Sequence, residues 1–197
     1  AMPDTEIKIT DDGEIITRAP TLMTGYYLEP EKTAETIRDG WLHTGDRGEI
    51  DSDGYLTITG RIKDVFKTSK GKFVQPNKIE CLLQHNPLIE QVCVLGSGSP
   101  QPVCLIELSE TGIALAKEDR QAIELEFEGD IKHVNQEVEH HENLDRAFII
   151  SDTWTPENGL LTPTMKIKRN TIESYYAALC DQYNSSKALV IWASPQL

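Results

Sequence analysis

Residues 40–80 read GWLHTGDRGEIDSDGYLTITGRIKDVFKTSKGKFVQPNKIE and decide the fold. Within them, Asp53-Gly54 separates two β-type runs, RGEI and YLTIT, in the manner of a tight hairpin. The runs VFK and FVQ flank a glycine turn at Ser69–Lys72, which predicts a second hairpin. Pro76 then predicts the start of a helix that runs to about Gln84.

The residues before this stretch continue the same pattern of short strands and turns. Asp12-Gly13 separates EIKIT from EIITRA, and Pro30 to Ile37 carries the chemistry of a helix start. We therefore predict a small antiparallel β unit within residues 1–60. It is too short and too rich in turns for a comfortable independent domain, so we expect it to be the edge of something larger.

Beyond residue 60, strands and helices are mixed. The runs QVCVLGS and PVCLIELS predict two strands joined by the turn GSGSPQ, and AFIIS predicts another. The charged segment Asp119–His141 places four apolar residues on one helical face, namely Ile123, Phe127, Ile131 and Val134. A last helix is predicted from about Lys168 to Tyr183. Because no regular βαβ repetition is evident, we predict an α+β class, with a compact mixed domain over residues 61–197.

Composition limits the kinds of ligand. The chain has 197 residues, 39% of them hydrophobic, which is enough for one good core or two small ones. Its net charge of −13 argues against binding to nucleic acid or an anionic membrane through the overall field. An anionic ligand must therefore meet local positive charge. Residues 61–72 hold five cations against one carboxylate, a net +4, and Lys166, Lys168 and Arg169 add a second cluster of +3.

The four cysteines do not suggest a metal site or a disulfide framework. They show no CxxC spacing and mostly lie among Val, Leu and Ile, so we interpret them as reduced core residues of a cytoplasmic protein. They are Cys81, Cys93, Cys104 and Cys180. The longest apolar run near the end, Ala188–Ala193, is far too short to span a bilayer. We predict a chain without a transmembrane segment.

The histidines offer a weaker alternative. On a helix, His133, Glu137 and either His140 or His141 would share a face at roughly metal-ligand spacing. A helix so rich in Glu and His is more often a solvated face, and we therefore predict no metal. His43, in a glycine-flanked loop, is open to two interpretations, a ligand contact or a turn residue.

The opening stretch also has a chemical interpretation. Asp46, in a Thr-Gly-Asp turn, is an acceptor suited to vicinal sugar hydroxyls. Arg61 can donate to the same hydroxyls or to a phosphate. The glycine turn at Ser69–Lys72, beside Lys67, allows backbone to approach a narrow ligand closely. Taken singly, Asp46 is equally explained as a capped turn, Arg61 as a salt bridge and the glycine turn as a hairpin tip. Their occurrence together in this order along the chain favours a nucleotide site.

These motifs carry a family resemblance. Residues 13–80, from GEIITRAPTLMTGYY through GWLHTGDRGEI to GRIKDVFKTSKGKFVQPNKIE, closely resemble the late motifs of the adenylate-forming superfamily. That superfamily includes acyl-CoA synthetases, luciferases and peptide-synthetase adenylation domains. The segment LLTPTMKIKRNTI resembles its final, lysine-bearing motif, in a form most like the long-chain fatty acyl-CoA synthetases. The commoner pattern has Gly before the catalytic lysine, where this chain has Met165. The register with Ile167 and Arg169 favours Lys166 over Lys168 as the functional amine.

The resemblance implies a two-step reaction and a role for each matched residue. ATP, with Mg, and a fatty acid would give an acyl-adenylate and pyrophosphate, and the thiol of coenzyme A would then attack the carbonyl. Asp46 and Arg61 would hold the ribose, and Lys166 would reach the carboxylate and the α-phosphate. Lys63 would be the hinge of a rotating C-terminal domain. Lys67 would be a second catalytic lysine at the start of a loop along the coenzyme A path, formed by Ser69, Lys70, Gly71 and Lys72.

The resemblance also implies that a large part of the enzyme lies outside these residues. The superfamily's Ser/Thr/Gly-rich phosphate loop and acyl pocket would precede them, and no such loop occurs here. We therefore expect a C-terminal fragment that is inactive alone and holds no tightly bound cofactor. Its partners would be the missing N-terminal domain, fatty acid, ATP or AMP, and coenzyme A, with membrane contact only through the lipid substrate. The alternative is a stand-alone module that binds a nucleotide or a partner protein without catalysis.

Overall fold

The computed structural model describes residues 4–183 and 186–193. The chain divides into two compact units between Asp64 and Val65. This division lies a few residues after the boundary that we predicted at residue 60. The assignment of the two parts to two domains of a larger enzyme stays a prediction.

Unit 1 is an antiparallel sheet with one short helix. Its strands are β1 Glu6–Ile9, β2 Glu14–Arg18, β3 Ile37–Arg38, β4 Trp41–Ile50 and β5 Leu56–Arg61, and its helix is α1 Pro30–Thr36. The sheet order is β1-β2-β4-β3, with β5 also paired to β4. Both hairpins predicted at the Asp-Gly turns are present. A single 3₁₀ turn, Ile62–Asp64, ends the unit.

Unit 1 has little core of its own. Ile15 is its one buried apolar side chain among the described residues, whereas Tyr27 is 90% exposed, Leu28 82% and Tyr55 72%. Isolated sheets of this kind need a further apolar layer to be stable. The burial pattern therefore supports the expectation that this sheet is the edge of a larger body.

Unit 2 is a mixed four-stranded sheet between helices. It opens with the predicted hairpin of β6 Phe66–Lys67 and β7 Phe73–Val74. The helices are α2 Pro76–Leu83, α3 Glu110–Glu118, α4 Arg120–Glu137 and α5 Arg169–Gln182, and the sheet strands are β8 Ile89–Leu95, β9 Val103–Leu108, β10 Ala147–Ile150 and β11 Val190–Ala193. The order is β11-β10-β9-β8, in which only β8 and β9 are antiparallel.

Two apolar clusters cover the two faces of this sheet. The first contains Val92, Ile106 and Ile149 together with residues of α2 and α4, and the second contains Cys93 and Phe148 together with residues of α5. Successive strand residues thus point to opposite faces, and both faces are buried. All four apolar residues predicted on one face of α4 are buried, which confirms that periodicity. Asp119 caps α4 by accepting a hydrogen bond from the Ala122 N–H.

Several features differ from the predictions. Helix α3 and strand β11 were not predicted, and the apolar run at 188–193 contributes an edge strand. Helix α4 ends at Glu137, so His140 and His141 lie beyond it and cannot share its face with His133. Cys81 is exposed on α2, which corrects its assignment to the core. The α+β class itself is confirmed. None of the described helices is long and apolar enough to cross a bilayer.

Candidate functional site

Asp46 and Arg61, the two predicted nucleotide-binding residues, are brought together by the pairing of β4 with β5. They are direct register partners, and Arg61 Nε donates to Asp46 Oδ1 over 2.9 Å. The Arg61 side chain is 51% exposed and that of Asp46 30% exposed. The pair is therefore a surface ion pair with donor and acceptor groups still accessible to a ligand.

The segment of β4 that leads to Asp46 is fixed to the neighbouring strand β2, at an irregularity in their register. This corrects two predictions, because Asp46 lies in a strand and not in a Thr-Gly-Asp turn, and His43 lies in the same strand and not in a loop. Gly45 adopts a φ of +71°, a left-handed conformation that glycine takes readily. Thr44 Oγ1 donates to the Ile15 carbonyl over 2.7 Å and accepts from the Asp46 N–H over 3.0 Å. Glu14 accepts from the Gly45 N–H over 2.9 Å. Sequence reasoning missed Glu14, although its place directly after the Asp12-Gly13 turn put it at the start of β2, the strand beside this segment.

The predicted lysine turn, residues 67–72, is a tight hairpin tip. Thr68 is buried, and its N–H donates to the Lys72 carbonyl over 2.8 Å. Gly71 adopts a φ of +77° and donates to the Thr68 carbonyl over 2.9 Å. Lys67 Nζ lies 5.1 Å from the centroid of the exposed Phe73 ring. Ser69, Lys70 and Lys72 are exposed, so the turn presents its cations to solvent.

The loop at residues 96–99 is hydrogen-bonded to the lysine turn. It donates from the Gly98 N–H to the Lys67 carbonyl over 2.8 Å, and its Ser99 carbonyl accepts from the Ser69 N–H over 2.9 Å. On its other side, Glu173 Oε1 of α5 accepts from the first two N–H groups of the loop, over 3.3 and 2.9 Å. The predicted hairpin loop is present, because it joins the antiparallel strands β8 and β9. It also connects the lysine turn to α5, which was not predicted.

Lys166 lies at the end of a second tight turn. The Thr162 N–H donates to the Lys166 carbonyl over 2.8 Å, and the Lys166 N–H donates to Thr162 Oγ1 over 3.0 Å. Leu161 and Ile167 form a β-bridge across the base of the turn. Met165 has a φ of +60° and is 56% exposed. The residue type that suits this conformation best is glycine.

Arg169 corrects our description of the second positive cluster. Its side chain is 11% exposed and bonds both carboxylate oxygens of Glu80, over 2.5 and 2.9 Å. It also donates to the Val94 carbonyl over 2.7 Å. Its charge is therefore neutralised inside unit 2, where it fixes the start of α5 to α2 and β8. The cluster available to a ligand consists of Lys166 and Lys168, both of which are exposed.

The two lysine turns of unit 2 are both attached near the end of β8. The loop at 96–99 directly follows β8, and Arg169 reaches the penultimate residue of that strand. Lys63 is exposed in the 3₁₀ turn that ends unit 1. Among residues 4–183 and 186–193, no three His, Cys, Asp or Glu side chains are grouped so that they could hold a metal ion.

Comparison with known proteins identifies the family. Residues 63–187 match the model of the AMP-binding enzyme C-terminal domain. The chain belongs to this family. Among solved structures, the chain is similar to the A-PCP didomain of carboxylic acid reductase from Segniliparus rugosus in complex with AMP. The TM-score is 0.73 at 26% identity, over 92% of this chain and 28% of that one.

Two relatives of this chain are named as ligases. It is 35% identical to the long-chain-fatty-acid–CoA ligase FadD15 of Mycobacterium tuberculosis, over 90% of this chain and 32% of that protein. It is 30% identical to the human long-chain-fatty-acid–CoA ligase 1, over 89% of this chain and 27% of that protein. The chain thus spans about a third or less of the length of these relatives. The matches confirm the resemblance to the adenylate-forming enzymes and to their long-chain fatty acyl-CoA synthetases.

Proposed function

We propose that this chain is the C-terminal part of an AMP-forming acid–thiol ligase that converts long-chain fatty acids to their coenzyme A thioesters. The observation that carries the proposal is the match of nine-tenths of the chain, at 30 to 35% identity, to proteins named as long-chain-fatty-acid–CoA ligases. In this proposal, residues 1–60 complete the N-terminal domain, and residues 61–197 form the mobile C-terminal domain. That missing N-terminal domain is the chain's first partner, and the enzyme works in the cytoplasm.

The first half-reaction joins the fatty acid to AMP. A carboxylate oxygen attacks the α-phosphorus of Mg-bound ATP, and pyrophosphate leaves. Asp46 accepts hydrogen bonds from the ribose hydroxyls, while Arg61 orients the Asp46 carboxylate over the 2.9 Å contact. The Lys166 ammonium lies between the carboxylate and the α-phosphate, where it reduces their repulsion as negative charge develops. The exposed, tightly bonded turn that presents Lys166 suits this role.

The geometry of Met165 supports the choice of Lys166. The resemblance places Gly directly before the catalytic lysine, and in this chain the residue at that place has a φ of +60°. A left-handed conformation explains the usual glycine and is consistent with the register that puts Lys166 next. A register centred on Lys168 would align the glycine with Ile167, which is part of the β-bridge and needs no such conformation.

The second half-reaction transfers the acyl group. The thiolate of coenzyme A attacks the carbonyl carbon of the acyl-adenylate, and AMP leaves. Before this step the C-terminal domain rotates about Lys63. Lys166 then leaves the active site, and the lysine turn at 67–72 takes its place. Lys67 and its turn then face the nucleotide and line the path of the pantetheine arm. The exposed cations Lys70 and Lys72 attract the anionic cofactor.

The test compares this chain with the full-length protein that contains it. With a fatty acid, Mg-ATP and coenzyme A, the full-length protein should form the thioester and AMP. The 197-residue chain alone should show no carboxylate-dependent exchange of pyrophosphate into ATP, because it holds no phosphate loop. Pyrophosphate exchange by the 197-residue chain alone would contradict the proposal that adenylation needs the N-terminal domain. Absence of thioester formation by the full-length protein, with nucleotide binding retained, would favour a binding module.

A further inference from the structure

Glu14 makes two contacts with the segment of β4 that carries Asp46, residues 43–46. Its Oε1 accepts from the Gly45 N–H over 2.9 Å, and its Oε2 lies 2.7 Å from His43 Nδ1. A carboxylate oxygen accepts hydrogen bonds, so we assign His43 the tautomer in which Nδ1 is the donor of this contact. The proposed reaction itself uses neither Glu14 nor His43.

The contact is better shielded than the ion pair that it supports. The side chains of Glu14 and His43 are 15% and 18% exposed, whereas those of Asp46 and Arg61 are 30% and 51% exposed. Exposed ion pairs are weak and hold their partners loosely. Charge-assisted hydrogen bonds that are shielded from water are stronger and shorter. The shielded contact, more than Arg61, therefore fixes the position of the β4 segment before Asp46.

The contact acts together with a second attachment one residue further along β2. Thr44 bonds the Ile15 carbonyl, and the same hydroxyl accepts from the Asp46 N–H. Three consecutive residues of β4 are thus bonded to two consecutive residues of β2. Gly45 lies between them at a φ of +71° and has no side chain that could restrict its backbone. Without Glu14, its N–H would lose the partner that holds this peptide.

We propose that Glu14 is a positioning residue for nucleotide binding, and that His43 is the donor that orients it. Glu14 touches no substrate. It holds the peptide before Asp46 so that the carboxylate meets both ribose hydroxyls at once. This role rests on the proposed function, because it acts through the contact of Asp46 with the nucleotide. His43 is then neither a ligand contact nor a turn residue, but the partner of Glu14 on β4.

The experiment is a double-mutant cycle in the full-length enzyme, read by the KM for ATP in fatty-acid-dependent pyrophosphate exchange. Glu14→Ala should raise this KM about tenfold, as expected for loss of charged hydrogen bonds, with a smaller change in kcat. Glu14→Gln keeps an acceptor for the Gly45 N–H, so it should restore the KM to within about threefold of the parent. In an Asp46→Asn background, Glu14→Ala should raise the KM little further, because the contact through which it acts is already lost.

A matched control lies on the same hairpin. Glu6 pairs with Arg18 over 2.6 Å on β1 and β2, and both side chains are about half exposed. Glu6→Ala should leave the KM for ATP unchanged. Thermal midpoints separate positioning from stability, since Glu14→Ala should lower the midpoint equally in both backgrounds while it changes the KM in only one.

The outcomes distinguish this inference from the function on which it rests. If Asp46→Asn leaves the KM for ATP unchanged, the proposed nucleotide contact is wrong. If Asp46→Asn raises the KM but Glu14→Ala does not, or if the two effects multiply independently, the positioning role of Glu14 is wrong and the proposed function stands. An effect of Glu6→Ala as large as that of Glu14→Ala would also overturn the positioning role.

Discussion

Lys166 and Lys168 are two residues apart and differ in local structure, which makes them a sensitive test of the site. Lys166 closes the turn with Thr162, while Lys168 directly precedes α5. In the full-length enzyme, Lys166→Ala should slow adenylation by on the order of 10² to 10³, because a transition-state contact is lost. Lys168→Ala should have a far smaller effect. Rates of pyrophosphate exchange with fatty acid measure the difference.

The second half-reaction supplies the control for this prediction. Acyl-adenylate supplied directly should react with coenzyme A almost as fast in the Lys166→Ala enzyme as in the parent, since the role proposed for Lys166 is confined to the adenylating arrangement. Equal slowing of both half-reactions, or a larger effect of Lys168→Ala, would show that the motif register across Met165 is wrong.

Glu107 predicts a pH dependence of the stability of unit 2. It is 7% exposed, and its Oε2 accepts from the Trp154 N–H over 3.2 Å. Desolvation raises the pKa of this carboxyl above its ordinary 4.5, against the lowering effect of the Trp154 bond, and the charges of Glu90 and Asp152 raise it further. A raised carboxyl pKa favours the folded state at low pH, and this contribution is lost as pH rises through the folded pKa.

Glu107→Gln should therefore stabilise the chain at neutral pH. The amide keeps an acceptor for the Trp154 N–H and carries no charge to desolvate. The thermal midpoint of the variant should exceed that of the parent at pH 7, and the gain should shrink as pH falls towards the ordinary carboxyl pKa of 4.5. Midpoints measured by circular dichroism across this range test the sign. A gain that grows on acidification would contradict it.

At the scale of elements, the 3₁₀ turn Ile62–Asp64 is the natural place for a hinge, because it lies where unit 1 ends. Proline fixes φ and removes a backbone N–H. Lys63→Pro in the full-length enzyme should therefore hinder rotation and affect the two half-reactions unequally, with the step that needs the disfavoured arrangement slowed about tenfold or more. Lys63→Ala keeps the torsional freedom and serves as the control. Equal, small effects of Lys63→Pro on both half-reactions would remove the hinge role.

The elements also show how far the sequence could predict the fold. Elements marked by a glycine or proline at a fixed place were predicted correctly. They are the two Asp-Gly hairpins, the glycine turn at 69–72 and the helix that begins at Pro76. Helix α3 was missed because Gly112 interrupts its pattern. A Cβ there would lie 2.5 Å from the Leu88 carbonyl oxygen, so the glycine permits close packing. Strand β11 is short, and its pairing with β10 depends on distant residues.

The candidate site was predictable where its residues lie in or beside local turns, as Lys67 and Lys166 do. Asp46 was found from its motif although it lies inside β4 and not in the predicted turn, and the pairing of β4 with β5 places it beside Arg61. Glu14 and Glu173 were missed because their partners are 31 and 76 residues away along the chain. Arg169 was misassigned because sequence shows its charge but not the Glu80 carboxylate that neutralises it. Tertiary contacts, which the chain order does not reveal, decide these three cases.

At the scale of the whole molecule, the two units differ sharply in how much apolar surface they bury. All but one of the buried apolar side chains of the described residues lie beyond residue 64. A polypeptide spanning residues 65–197 should therefore fold alone and unfold in one cooperative transition. One spanning residues 1–64 should show no such transition. Thermal melts of the two polypeptides measure this, and cooperative melting of the shorter one would contradict it.

The loop at residues 96–99 sets a limit on how this domain can change over evolutionary time. Every bond that it makes to the lysine turn and to Glu173 uses its own backbone N–H or C=O groups. Its side chains are therefore free to drift, apart from the glycines at 96 and 98, which have positive φ. Its length is not free, because one inserted residue would shift these backbone groups away from Lys67, Ser69 and Glu173. Among homologues, this loop should vary in sequence but keep its number of residues.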